Sequence, residues 1–435
     1  MSRQIVLREF ERLYSDDARL SKEDFEQLRQ FTLSRGEEKR VLTIGCEKRR
    51  EYISSRNYVG LLTLSSGLRI EILPKLPLSP RPGGTQEEDD QRTREFFFQM
   101  LQTCGVLPRI SMNWSGLGRQ QADMLECFYA AFMENVQKLV RQGLASGYHD
   151  KTENEHFLKG RLDIGGQIRH NLAHRERFYV TYDVFDVNRA KNRLLKTALS
   201  LVARRTSSLE LRRQGKMLLE DMDAIPLSTD VKTDFMRCRE GERSVARYGP
   251  ALAWCRLFLL GESFTTFSGD CGTQAILFPM ERVFQDYVAA ELRRSLPREE
   301  WEVRTQAKQE YLFYQEGYGR FLLKPDICVI HKGGTGGCLV MDTKWKRLDA
   351  AKRYFGISQA DMYQMYAYGK KYHAPKVTLL YPCTYTQAEA AAEQMQLRSW
   401  RGKDMEASPV TVQIKFVKLD ALEGLADYVR QCFKA

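Results

Sequence analysis

Two aspartates and a lysine near the end of the chain have the types and spacing for phosphoryl chemistry. Asp326 stands in RFLLKPDICVI, and Asp342 and Lys344 stand in GCLVMDTKW. Fifteen residues separate the aspartates, and the KGGTGG stretch, Lys332–Gly337, can turn the chain back between them. Residues two apart on a strand point to one face, so Asp342 and Lys344 project together and a hairpin brings Asp326 alongside. Two carboxylates and a lysine suit metal-assisted phosphodiester hydrolysis. Mg²⁺ prefers oxygen ligands and keeps several waters, so one or two aspartates plus a substrate phosphate hold it. The bound metal polarises the phosphate and acidifies a water, while the lysine orients that nucleophile and offsets developing charge. Surface Asp–Lys pairs on strand ends are the alternative. Against it, VMDTKW and KPDICV place charge inside apolar runs, where an unpaired ion costs several kcal/mol.

The elements that must position these groups begin near Ala275. LFPMERVFQDYVAAELRRSL, Leu277–Leu296, has the apolar spacing of an amphipathic helix entered through Pro279. Short β-rich runs follow from Trp301, Glu310, Arg320 and Gly337, with Pro325-Asp326 expected inside a strand. A helix is expected over Ser358–Tyr372, with Ser358 as N-cap, then a buried strand KVTLLYP from Lys376. Helix, strands, helix, strand describes a small α/β domain on a central mixed sheet over 275–435. Upstream, Val41–Cys46 and the Tyr58–Leu76 run around Ser65–Gly67 predict a β-rich domain over 1–76. Proline, glycine and acids predict a linker over 77–93. The segment 94–274 is expected to be mostly helical, with a polar stretch at Gly147–Leu162. The fold class is thus α+β or α/β and multidomain.

The Asp326, Asp342 and Lys344 set resembles the PD-(D/E)xK nuclease motif. Together with LKGRLDIGGQIRHN, YDVFDVNRAKNRLLKTAL, LFPMERVFQDYVAAEL, VMDTKWK and SQADMYQMYAYGKKY, it is similar to the McrC family. Those proteins are nuclease subunits of restriction systems directed at modified cytosine. The resemblance runs from about Met124 to the C-terminus, and the Val59–Leu76 hairpin resembles the extra N-terminal part of longer members. It implies a C-terminal PD-(D/E)xK endonuclease fold, with Asp326 and Asp342 as Mg²⁺ ligands and Lys344 as catalytic lysine. Glu281 would be the upstream helix acid, and Gln364 the glutamine of a glutamine-tyrosine element near the active site. The implied partners are double-stranded DNA carrying modified cytosine and a hexameric McrB-like AAA+ GTPase, which this chain would engage and stimulate. A finger-like portion would enter the ring channel. The segment from about Leu139 to Arg161 is the candidate, with Arg141, Lys159 and Arg161 as partner contacts.

Composition narrows the class. The 435 residues include 67 Lys+Arg and 56 Asp+Glu, a net charge of +11, and 43% are hydrophobic, which is ordinary globular composition. Between Lys151 and Arg247 stand 20 basic and 14 acidic residues, so this stretch carries about half the excess and suggests a polyanionic partner. Ten scattered cysteines form no C-x-x-C pair, and His170 and His174 lack the glutamate of a zinc-binding H-E-x-x-H. The longest apolar stretch, Ala251–Gly261, is broken by Arg256 and is far short of the roughly 20 residues a membrane helix needs. A cytoplasmic protein without membrane association is expected. No G-x-x-x-x-G-K-[ST] occurs, so the chain should hold no nucleotide in a P-loop of its own. Two other functions compete: a non-catalytic adaptor that activates a ring NTPase and binds DNA, or a stand-alone repair nuclease.

Overall fold

A computed structural model describes residues 4–34, 41–76, 85–106, 124–238, 243–260, 274–333, 338–349, 351–383, 399–401, 410–419 and 422–434. The chain forms two compact units, one of Met1–Arg109 with Gly269–Ala435 and the other of Ile110–Ser268.

The first unit joins the two ends of the sequence. Strands β1 (Gln4–Arg8), β5 (Tyr58–Thr63) and β6 (Arg69–Leu73) share a sheet with β10 (Gln274–Pro279), in the order β1-β6-β5-β10. The expected 58–76 hairpin is present, β5 and β6 pairing antiparallel. The expected independence of 1–76 from 275–435 is not, because β10 pairs with β5 along its whole length. Gly60 permits that closeness: with φ at +142°, a Cβ there would lie 1.9 Å from the Ile276 carbonyl oxygen. Leu277–Pro279, expected at the start of a helix, therefore extends this sheet. A smaller sheet of β2 (Arg12–Tyr14), β4 (Arg50–Ser55) and β3 (Leu42–Glu47) accompanies helix α1 (Lys22–Leu33). Helix α2 (Gln86–Thr103) starts inside the expected linker. Thr85 and Glu88 form a capping box there, and the acids of its first turn suit the positive end of the helix. Residues 77–84 of that linker lie outside the described residues.

The C-terminal half is built on a six-stranded mixed sheet. Its strands are β11 (Trp301–Thr305), β14 (Ile327–His331), β15 (Leu339–Thr343), β16 (Lys376–Cys383), β17 (Ser399–Arg401) and β18 (Thr411–Lys418), in the order β11-β14-β15-β16-β18-β17. Helices α9 (Met280–Ser295), α10 (Gln359–Lys371) and α11 (Glu423–Lys434) accompany it. On α10, Met365 and Tyr368 pack with Val340, Val377 and Leu379 in one core. Asp342 shares the strand face of Val340 by alternation, so it points toward α10. A separate two-stranded hairpin of β12 (Tyr311–Gln315) and β13 (Tyr318–Leu322) precedes β14.

The second unit gathers helices α3 (Met124–Arg141), α5 (Ala190–Arg205), α6 (Leu209–Asp221), α7 (Val231–Arg237) and α8 (Arg243–Leu260). Gly143, with φ at +81°, ends the α3 segment as its sequence suggests. The expectation of a mostly helical region did not include a sheet. The polar stretch from Gly147 forms β7 (Gly147–Glu155) and β8 (Arg161–Leu162), both paired with β9 (Phe178–Asp186), with α4 (Ile164–Asn171) between β8 and β9. Its residues are too polar to read as a half-buried strand, and α4 rather than a large apolar core packs on the ribbon, with His170 stacked on Tyr179 and Asn171 bonded to Asn154. Among the described residues no helix is long and apolar enough to cross a membrane.

Candidate active site

Asp326 is not inside a strand as expected. It occupies the break between β13 and β14, where Pro325 can offer no N–H to a ladder. The antiparallel register pairs Ile327 with Met341, which sets Asp326 beside the end of β15. Its Oδ2 accepts the Thr343 N–H at 2.8 Å and the Thr343 hydroxyl at 2.7 Å. Gln306 donates to Oδ1 at 3.3 Å, and Gln285 of α9 donates to the Asp326 carbonyl at 3.2 Å. The Gln306 N–H also donates to that carbonyl at 3.1 Å, so five donors hold this aspartate. Burial still leaves its carboxyl above the ordinary range, although the Thr343 bonds and Lys344 pull the other way.

Asp342, the fourth residue of β15, is only 2% exposed. Lys344 Nζ stands 2.7 Å from its Oδ2 as an ion pair. That ammonium is the partner of this buried oxygen, which meets no second donor among the described residues. Burial first, and then the charge of Asp326, push the Asp342 carboxyl up to about 7, outweighing Lys344. For Lys344, burial opposes the charged form, but Asp342 more than offsets it and the ammonium is held above its usual range.

Beyond the end of β15 the Lys344 N–H continues the ladder to Leu380 of β16 at 2.9 Å. Its ammonium donates to Gln364 Oε1 at 3.1 Å and approaches Asp361 at 3.6 Å. Gln364 in turn donates to the Tyr368 hydroxyl at 2.8 Å, and that hydroxyl donates to the Lys324 carbonyl at 3.0 Å. This chain orients the amide with its oxygen toward the lysine. Asp361, whose backbone N–H is capped by Ser358, also pairs with Lys346 at 3.0 Å.

The structure therefore brings Asp326, Asp342, Lys344 and Gln364 together. Glu281 lies in the first turn of α9 and accepts from Asn57 at 2.7 Å, with Glu9 and Lys75 as its charged neighbours. Arg141, Lys159 and Arg161 are exposed in the other unit. Arg141 ends α3, Lys159 covers the Tyr182 ring at 3.7 Å, and Arg161 lies opposite Thr181 in β8.

Several positioning groups were not evident from the sequence. Thr343 and Gln306 hold Asp326, and Asp361 balances two lysines. Behind Lys344, the buried Trp345 donates from its indole to Glu9 at 2.9 Å, while its carbonyl accepts from Lys75 Nζ at 2.7 Å. Burial keeps the Glu9 carboxyl high and the Lys75 ammonium low despite their mutual attraction. Asp361 carried a signal, the S-x-x-D cap at Ser358. Glu9 and Lys75 carried none, being more than 260 residues from Trp345.

The donor set fits a hard divalent cation. Burial raises both carboxyls, the charge of Asp326 raises Asp342 further, and the buried Asp342 Oδ2 meets only the Lys344 ammonium. Among the described residues no group of three or more His, Cys, Asp or Glu could hold a metal ion by protein ligands alone. Mg²⁺ takes one or two carboxylates and completes its shell with water and phosphate, so Asp326 and Asp342 are the residues that could hold it.

Comparison with known proteins places this geometry in context. A family model for McrBC 5-methylcytosine restriction system components matches residues 53–382. Among solved structures, the chain is similar to one in the refined half-complex from the tetradecameric assembly of Thermococcus gammatolerans McrB AAA+ hexamers with bound McrC. The match has 20% identity over 99% of each chain, with a TM-score of 0.69. A chain of the cryo-EM structure of the Thermococcus gammatolerans McrBC complex matches at 20% identity, covering 68% of this chain and 88% of that one, with a TM-score of 0.48. No curated protein matches.

Proposed function

The chain belongs to the family of McrBC 5-methylcytosine restriction system components, and we propose that it is the McrC-type DNA endonuclease subunit of such a system. It cleaves phosphodiesters of DNA carrying modified cytosine, with Mg²⁺, when assembled with an McrB-like AAA+ ring whose GTP hydrolysis it stimulates. The observation that carries this reading is the cluster of buried Asp342 with half-buried Asp326 and Lys344, in which the carboxyls are raised and the lysine is fixed by Gln364. A PD-(D/E)xK assignment of the six-stranded sheet accounts for all three residues.

Asp326 and Asp342 would hold the Mg²⁺ ion, which supplies Lewis-acid polarisation of the phosphate and acidifies a bound water. Thr343 fixes the Asp326 carboxylate through two donors, so that ligand needs no reorganisation on binding. Lys344 orients the attacking water and offsets charge on the phosphate, and Gln364 keeps the ammonium aimed. Glu281 bonds Asn57 and lies beside Glu9 and Lys75, the two groups that hold Trp345 behind Lys344.

The partner reading is supported by the half-complex of McrB hexamers with bound McrC, and by the ribbon of the second unit. Around Lys159 and Arg161 the β7–β8 connection exposes Phe157 and Leu158, and α4 with its C-cap exposes Ile164, Ile168 and Leu172, large apolar side chains of the kind that mark interaction surfaces. We place the ring contact there.

Asp342→Ala tests the proposal. Mg²⁺-dependent cleavage by the assembled complex should fall by at least about a thousandfold, while ring assembly and GTPase stimulation persist. Cleavage retained in a clean preparation would remove the site assignment. GTPase stimulation with no cleavage by the unaltered chain on any substrate would leave only the adaptor.

A further inference from the structure

The hairpin of β12 and β13 presents aromatic rings to solvent immediately before Asp326. Phe313 is 60% exposed, Phe321 is 74% exposed and Tyr318 is 71% exposed. Phe313 lies directly opposite Arg320 in the register, so the two share a face, and the Phe321 ring meets the Phe313 ring edge-on at 6.1 Å. Phe321 reaches that position from a left-handed backbone, with φ at +57°, which a bulky residue rarely adopts. Such strain persists where surrounding structure imposes it, and is concentrated at functional sites.

This arm is anchored. Its two-residue tip, Glu316 and Gly317, has φ values of +52° and +81°, as a tight hairpin turn requires. At the other end, the Tyr372 hydroxyl of α10 donates to the carbonyls of both Ala307 and Leu323, at 3.1 and 3.2 Å. Tyr368 holds Lys324 and, through Gln364, Lys344. One helix therefore clamps the hairpin and the candidate catalytic lysine together. With five residues per strand, the arm reaches about 17 Å from the site.

We propose that this hairpin is a DNA-contacting arm, which lays Phe313, Phe321 and Arg320 against the bases and backbone flanking the phosphate at Asp326 and Asp342. The inference rests on the nuclease reading for the identity of its occupant. Continuity with the phosphate site favours DNA over another protein surface, since the arm leads without interruption into Pro325 and Asp326. Shape agrees: a two-stranded ribbon fits the roughly 12 Å major groove. Charge agrees as well, with exposed Arg320 on the aromatic face and exposed Lys324 at the base.

The test uses the full chain with Asp342→Asn, so that DNA stays intact, and a fluorescein-labelled 30-base-pair duplex titrated by anisotropy at several salt concentrations. Phe313→Ser with Phe321→Gly should weaken binding by about tenfold or more while leaving the salt dependence unchanged, because no ion is lost. Arg320→Gln should weaken binding and lower the salt slope by about one. Glycine at position 321 suits the left-handed backbone, so thermal unfolding of the double variant should match the parent. Unchanged affinity in the double variant overturns the proposal, as does no measurable duplex binding by the parent. Loss of self-association or of ring binding with DNA affinity intact also overturns it, assigning the rings to a protein partner. A weakened affinity in a chain that never cleaves would retain the arm and reject the nuclease. Unchanged affinity beside a cleavage loss in Asp342→Ala would do the reverse.

Discussion

In the helical unit, the buried Asp234 carboxylate accepts from Arg193 Nη2 at 2.5 Å and Nε at 3.0 Å, and from the Ser228 hydroxyl at 2.8 Å. Burial alone would raise its pKa, but those donors prevail and hold it below the ordinary range. Glu126 nearby in sequence to α3's start is satisfied likewise, by Thr206 and by the amide and hydroxyl of Ser207. In the sheet-bearing unit, Asp342 is as deeply buried, yet its Oδ2 meets only the Lys344 ammonium, the charge of Asp326 stands beside it, and its carboxyl is raised. Burial of charge is therefore not the signature of function. Both regions bury carboxylates, and what differs is whether the surroundings complete the charged form or leave it wanting a cation.

Breaking each cluster should separate the two roles. Asp234→Ala leaves Arg193 buried beside Asn188 without its carboxylate. The helical unit should lose about 3 kcal/mol of stability by denaturant unfolding. A loss under 0.5 kcal/mol would show that pair to be dispensable. Gln364→Leu in the other unit should barely move stability. It should lower kcat for cleavage by about tenfold to a hundredfold with KM for DNA unchanged, since only the aim of Lys344 is lost. A KM effect instead would make Gln364 a DNA contact.

The pH dependence of the metal-free protein tests the same contrast. Asp342 has its folded pKa raised to about 7, against roughly 3.9 in an unfolded chain. Its contribution to stability is complete below about pH 4 and is lost as pH rises through 7. Thermal midpoints should fall more between pH 4 and 8 for the parent than for Asp342→Asn, and parallel curves would contradict the raised carboxyl. Asp234 has the opposite sign, its contribution disappearing only as pH falls below the carboxylate range.

Local pattern alone determined a good deal about this protein. Alternation set Asp342 and Lys344 on one face, helical spacing placed Gln364 on an α10 that begins at its Ser358 cap, and the 58–76 hairpin is visible in its turn residues. These features depend on neighbours within a few positions, so the residues themselves specify them. Tertiary structure alone decided the rest. It joined β10 to β5 across more than 200 residues, carried Glu9 and Lys75 to Trp345, and turned a polar stretch into a ribbon by giving β7 a partner in β9. Above all, it decided which buried carboxylate is complete and which is not. That depends on the reach of one lysine and of one arginine, and a sequence records which groups are present but not the geometry at which they meet.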